Sequence, residues 1–258
     1  MKTRVISGII GLLLLFIVVF TGGHLLNVSV FLISVIGLYE FDKAIKNING
    51  LKTILFVNYL FAIGLFTLIV LNRKELFMLL IFIYTVVLLC ILVFNKKVRI
   101  NDISITVLGA LYIPFLISHI ALLGGSIYIW IVFITAWGTD TFAYFVGVKF
   151  GKRKLCPSLS PNKSIEGSIG GILGSLVLTL LFSYYFKLGN IINISILSII
   201  CSIMAQVGDL TASRIKRLAN IKDYGKIMPG HGGILDRFDS ILFTGPIVYY
   251  YIVYFVLP

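Results

Sequence analysis

Residues 208–240, GDLTASRIKRLANIKDYGKIMPGHGGILDRFDS, hold four of the chain's ten carboxylates, Asp209, Asp223, Asp236 and Asp239, beside Arg214, Lys216, Arg217, Lys222, Lys226 and Arg237. Acids and bases interleaved at this range suit a nucleotide-phosphate site. A metal that bridges phosphates needs carboxylate oxygens, and the remaining phosphate oxygens need cations. If the helix carrying Asp209 continues past the membrane, Asp209, Ser213 and Lys216 stand at i, i+4 and i+7 on one face, and Asp236 and Asp239 stand at i and i+3. Each set could converge on one ion from its own helix. Between them Gly230, Gly232 and Gly233 flank His231, a composition that lets backbone N–H groups turn inward as an anion-binding nest before the next helix. His231 reads either as a phosphate donor or as a side chain that shapes the loop.

A second constellation is WGTDTFAYFVGVKFGK, in which Asp140 sits among apolar residues, followed by Tyr144 and Gly147 at i+4 and i+7. A carboxylate at that depth costs roughly 2.5–3.5 kcal/mol to insert, so it is expected to face a polar cavity or to bond a neighbouring helix. The basic stretch KFGKRKLCPSLSPNKSIEG beyond it carries Lys163 and ends at Glu166 and Gly167.

The elements that must position these residues are membrane helices. The chain has 258 residues, is 59% hydrophobic and has a mean hydropathy of +1.05, against the roughly 45–50% apolar content of soluble domains. Apolar runs at about 5–20, 24–40, 53–71, 76–95, 103–122, 126–148, 167–186, 190–212 and 240–257 predict an all-α, polytopic bundle of about nine transmembrane helices. The first run follows Lys2 and Arg4 like a signal peptide, but no small-residue cleavage site follows, so it is read as a retained helix. A shift in composition near Ser126 divides an N-terminal transmembrane scaffold, 1–125, from a catalytic half, 126–258, with two basic loops. Glu40 and Asp42, beside Lys43, read as a solvated helix end, and His24 and His119 as interfacial or packed side chains. Three isolated cysteines suggest neither a disulfide framework nor a zinc site.

Nineteen lysines and arginines fall in one set of alternate loops and three in the other. That bias places the N-terminus and the loops at 149–165 and 213–238 in the cytoplasm. It also accounts for the net charge of +12 without nucleic acid.

The first constellation resembles the signature of the phosphatidate cytidylyltransferases, or CDP-diacylglycerol synthases, at Ser213, Lys216, Arg217, Lys222, Asp223, Gly225, Pro229, His231, Gly232, Gly233, Asp236, Arg237 and Asp239, with Met228 as an apolar replacement. The second matches at Trp137, Asp140, Ala143, Tyr144, Gly147, Phe150, Gly151, Ser160, Pro161, Lys163, Glu166 and Gly167, and departs at Val148, Asn162, Ser164 and Ile165. The resemblance spans roughly residues 130–245. It implies transfer of CMP from CTP to phosphatidate, giving CDP-diacylglycerol and pyrophosphate, in the cell (inner or plasma) membrane. On that reading Asp209, Asp236 and Asp239 hold Mg²⁺, with room for a second cation, and Ser213 and Lys216 touch CTP phosphates or a metal-bound water. Arg217, Lys222, Arg237, His231 and the Gly232–Gly233 backbone hold phosphates, and Asp140, Lys163 and Glu166 complete the cavity or the lipid entrance. The partners implied are CTP, phosphatidate and the bilayer, with room for a homodimer.

Two other classes bear comparison. A CDP-alcohol phosphotransferase would open its motif with Asp-Gly, whereas Asp209 precedes Leu210. An ion-coupled transporter would use Asp140 and Asp209 as ion sites but leaves the HGG-x-x-DR-x-D loop without a role. The charge bias makes a direct prediction. Single cysteines replacing Lys154 and Lys226 in a background without Cys90, Cys156 and Cys201 will be shielded from an impermeant thiol reagent in intact cells. Labelling of either from outside reverses the orientation.

Overall fold

A computed structural model of the chain describes residues 2–227, 230 and 232–256, with the side chains of residues 2–6 outside that description. Among the described residues, nine helical stretches follow the nine apolar runs. They comprise α1 (Lys2–Thr21), α2 (Gly23–Ile45), α3 (Leu55–Val70), α4 (Phe77–Phe94), α5 (Ile100–Ala110) continuing through a π turn into α6 (Leu116–Leu122), α7 (Ile129–Phe150), α8 (Ile165–Phe186), α9 (Ile191–Leu218) and α10 (Leu235–Tyr251). Seven stretches are long and apolar enough to cross a bilayer, while Ser7–Thr21 and Leu55–Val70 are apolar but shorter. The chain is a polytopic, all-α membrane protein. On α4, Met78, Phe82 and Phe94 are 79%, 64% and 85% exposed, apolar surface that lipid rather than water suits.

The chain folds as two compact units, Met1–Gly125 with Leu218–Arg237, and Ser126–Arg217 with Phe238–Pro258. In the first, Leu38, Phe41, Leu65, Ile113 and Ile117 are buried. A polar stitch crosses this core. Tyr84 on α4 donates to Asn58 on α3 at 2.8 Å, and Asn58 donates to the Thr106 carbonyl on α5 at 3.1 Å. Hydrogen bonds of this kind tie helices together where no hydrophobic force distinguishes a neighbouring helix from lipid. The π turn at Leu111–Phe115 carries Pro114, whose missing N–H and bulky ring disfavour a regular α turn.

In the second unit α7 and α8 pack along a seam of small residues. A Cβ on Gly171 would stand 2.8 Å from the Thr139 carbonyl oxygen, one on Gly167 would stand 2.7 Å from that of Ala143, and one on Gly174 would run into the Phe142 ring. Gly167, Gly171 and Ser175 recur every four residues, the spacing that lets helix backbones approach in a membrane. Hydroxyl pairs add α9 to this seam, Thr139 with Ser202 at 2.6 Å and Ser198 with Thr179 at 3.1 Å. Between α7 and α8 the basic stretch folds into an antiparallel hairpin, β1 (Lys154–Cys156) and β2 (Ser160–Ser164), with Lys154 opposite Ser164. Ser164 then caps α8, its hydroxyl accepting from the Gly167 N–H at 3.1 Å.

The seam predicts a stability effect. Gly171→Val will lower the thermal midpoint in detergent by an amount equivalent to about 1–3 kcal/mol, the usual cost of overpacking. Ile169→Leu, at a position 53% exposed, will leave the midpoint unchanged. Equal midpoints for the two variants would remove the seam as the organiser of this unit.

Candidate active site

α9 runs without interruption to Leu218, so Asp209, Ser213 and Lys216 do lie on one helix at i, i+4 and i+7. Ser213 points its hydroxyl at Asp209, donating to Oδ1 at 3.4 Å. The other oxygen, Oδ2, takes the ammonium of Lys163 from strand β2 in a hydrogen-bonded ion pair. Both partners are partly buried, with side chains 30% and 24% exposed for Lys163 and Asp209. Asp239 on α10 is drawn into the same neighbourhood by Gly208. A Cβ at that position would overlap the Asp239 carbonyl oxygen and come within 2.8 Å of the Phe243 ring. Asp239 accepts from its neighbour's N–H, that of Ser240, at 2.7 Å. Its carboxylate is repelled by the charges of Asp209 and Asp140 and attracted by that of Lys216.

A cavity of about 490 Å³ opens beside this cluster, lined by Asp140, Tyr144 and Gly147 from α7, Asn162 and Lys163 from β2, and Ser168 and Gln206 from α8 and α9. Asp140 therefore faces a space furnished with polar groups, which relieves the cost of a carboxylate on an apolar helix. Ser168 donates to the Gln206 side chain across the cavity wall. Glu166 is not among the lining residues. Its carboxylate accepts from the Lys152 N–H at 3.0 Å and the Arg153 N–H at 3.2 Å, fixing the chain where it leaves α7. Arg217, near the end of α9, directs its Nε–H at the Leu159 carbonyl at 3.5 Å.

The glycine loop belongs to the other unit. Asp236, in the first turn of α10, accepts through Oδ2 from the N–H groups of Tyr224 at 2.8 Å and Gly233 at 2.9 Å. The nest therefore differs from expectation at Gly233. In this conformation its N–H is spent on the protein's own carboxylate and is closed to a phosphate. Gly232 adopts φ +86°, where a side chain would be strained and would also press on Asp236 Oδ2 at 2.7 Å. Lys222 and Arg237 are exposed. His231, with Met228 and Pro229, lies outside the described residues.

Two readings from sequence are corrected here. Glu40 and Asp42 are not a solvated helix end, for each is only 2% exposed. Asp42 holds Lys46 at 2.6 Å and accepts from the Thr53 hydroxyl. Glu40 accepts from the N–H groups of Ile234 and Leu235 at the start of α10. A signal for Asp42 was local, since Lys46 follows at i+4. For Glu40 the partner lies 194 residues away and nothing nearby announces it.

A family model, described as the cytidylyltransferase family, matches residues 2–255. The phosphatidate cytidylyltransferase of Staphylococcus haemolyticus is 35% identical over 262 residues, covering 96% of this chain and 97% of that one. That of Staphylococcus aureus (strain COL) is 32% identical with the same coverage of both chains. That of Bacillus subtilis is 44% identical over a shorter stretch of 132 residues, 51% of this chain and 49% of the other. The chain belongs to the cytidylyltransferase family.

For a cytidylyltransferase the donor set is suited to Mg²⁺. Asp209 and Asp239 offer hard oxygen donors, whereas no three of His, Cys, Asp and Glu among the described residues form a ready cage. Mg²⁺ needs no such cage, because it commonly takes one or two carboxylates together with phosphate oxygens and water. The approach of α9 to α10 at Gly208 is what makes the pair available. Gly208→Val will therefore cut turnover by at least about tenfold, the scale on which a small displacement of catalytic groups acts. Retention of wild-type turnover would show that the close approach is not needed.

Proposed function

We propose that the protein transfers the cytidylyl group of CTP to phosphatidate at the cytoplasmic face of the cell membrane, releasing pyrophosphate and forming CDP-diacylglycerol. The observation that carries this reading is the linked set Lys163, Asp209 and Ser213, with Asp239 and Lys216 around it, beside a polar cavity in membrane-spanning helices. The near-complete coverage of relatives named for this activity supports it.

In the reaction, an oxygen of the lipid phosphate forms a bond to the α-phosphorus of CTP. The bond from that phosphorus to the oxygen bridging the α and β phosphates breaks, and its electron pair leaves with pyrophosphate. The nucleophile is already ionised at neutral pH, so no general base is required. The barrier is the repulsion between two polyanions and the charge growing on the leaving group. Asp209 and Asp239 are the carboxylates that would hold Mg²⁺, and the sequence motif alone assigns Asp236 to the metal as well. When bound, the ion supplies charge neutralisation at the phosphates. Lys216 and Ser213 orient the triphosphate, and Arg217, Lys222 and Arg237 neutralise its remaining charge. Lys163 sits on the cavity wall and exchanges Asp209 for an incoming phosphate oxygen. Asp140 keeps the cavity hydrated for the lipid headgroup, and Glu166 holds the hairpin that carries Lys163.

The experiment is turnover by the purified protein in detergent, with phosphatidate, CTP and Mg²⁺, followed by pyrophosphate release. Turnover will depend on all three additions. Asp209→Asn will lower it by two or more orders of magnitude while leaving a monodisperse protein, because one negative ligand and the Lys163 partner are lost together. Turnover with CTP but without phosphatidate would sink the substrate assignment. Near-normal turnover in Asp209→Asn would sink the metal assignment.

A further inference from the structure

Glu40 is the most completely buried carboxylate, with Asp42, among the described residues, and it stands in the scaffold helices rather than in the reactive motifs. Its Oε1 accepts from the Ile234 N–H at 3.0 Å and its Oε2 from the Leu235 N–H at 2.9 Å. Those amides open α10, where the first N–H groups have no acceptor within the helix and the helix carries partial positive charge. The fit is made from both sides. On α2, a Cβ at Gly37 would be 3.1 Å from the Leu235 side chain, so the small residue one turn before Glu40 lets Leu235 seat. On the loop, a Cβ at Gly225 or Gly233 would overlap Glu40 Oε1. Glycine at both positions leaves the space that the carboxylate fills.

The consequence falls on Asp236. Three consecutive amides, those of Gly233, Ile234 and Leu235, are divided between Asp236 and Glu40. The two carboxylates are close enough to repel each other. Holding α2 against α10 would not require a charge, since apolar packing such as that of Leu235 at Gly37 achieves it at lower desolvation cost. A carboxylate does something packing does not. It fixes the direction of two backbone amides and hence the first turn from which Asp236 projects.

We propose that Glu40 is a positioning residue for the reaction, setting the glycine loop and the start of α10 so that Asp236 is presented to the Mg²⁺–CTP complex. The inference rests on the proposed cytidylyl transfer for its functional half and on hydrogen bonding alone for its structural half, which keeps the two separable.

The test compares the full-length protein with Glu40→Gln and Glu40→Asp in detergent. Glutamine keeps the shape but offers one acceptor oxygen, and its NH₂ group would face a backbone N–H. Aspartate keeps both acceptors on a shorter stem. Amide hydrogen exchange will rise in peptides covering 224–236 in Glu40→Gln, with or without nucleotide. In the activity assay, the Mg²⁺ concentration for half-maximal rate at fixed CTP will rise by about tenfold or more, the usual effect of disturbing a group that supports a metal ligand. Glu40→Asp will fall between wild type and Glu40→Gln in both readouts. A loss of folded protein alone lowers the maximal rate without moving the half-saturating Mg²⁺ concentration, so it does not imitate this result. Should Glu40→Gln prove too unstable to purify, Glu40→Asp carries the same two measurements. Unchanged exchange in 224–236 overturns the contact, and raised exchange with wild-type Mg²⁺ dependence overturns the positioning role. If wild type fails to turn over phosphatidate and CTP, the cytidylyl-transfer reading falls, and exchange alone decides whether Glu40 orders the loop.

Discussion

A carboxylate taken out of water loses hydration that no single contact returns, so it persists in a membrane bundle only where donors are already fixed around it. This constraint organises the chain more than any other. Glu40 is met by two amides of α10, Asp236 by the amides of Tyr224 and Gly233, and Asp209 by Lys163 and Ser213. Asp102 likewise accepts from the N–H groups of Lys52 and Arg99. Backbone amides dominate, and they cannot leave. The acids met by amides therefore have fixed surroundings, whereas Asp209 is met by two side chains, which can rotate.

Glycine is the means by which these donors come within reach. At Gly208 the absence of a side chain lets α9 meet the backbone of α10, at Gly225 and Gly233 it makes room for the Glu40 carboxylate, and along Gly167, Gly171 and Gly174 it lets α8 lie on α7. The last case is a packing device and the first two are site devices. They differ in what the approach serves, helix packing in one and the placing of a carboxylate in the other.

Much of this was legible in the sequence, though unevenly. The nine helical stretches follow the apolar runs, and length and hydropathy set seven of them apart as able to cross a bilayer. The i, i+4, i+7 relation of Asp209, Ser213 and Lys216 was readable because it needs only that α9 continue, and it does. The pairing of Lys163 with Asp209 spans 46 residues and has no local trace, although both were singled out for their types. Glu40 was misread because its surroundings in sequence, a span end followed by Asp42 and Lys43, look like those of a solvated turn. Burial is a property of the fold, and the group that buries Glu40 is encoded near the other end of the chain. The glycine seam between α7 and α8 did leave a signal, small residues four apart, but periodicity of apolar residues does not register it.

The position of the charges along α9 connects these points to the chemistry. Asp209 and Lys216 are seven residues apart, about 10 Å along the helix axis. Asp140 lies ten residues before the end of α7, roughly 15 Å from it. Negative charge is thus set deeper along these helices and positive charge nearer their ends. A lipid phosphate anchored by its acyl chains is confined to the headgroup depth, while CTP arrives from water. A reaction between them needs cations where the two polyanions meet and carboxylates where a divalent ion can bridge. For the proposed reaction, the gradient along α9 would supply both on one rigid element, with a spacing fixed by helix geometry and not by loops.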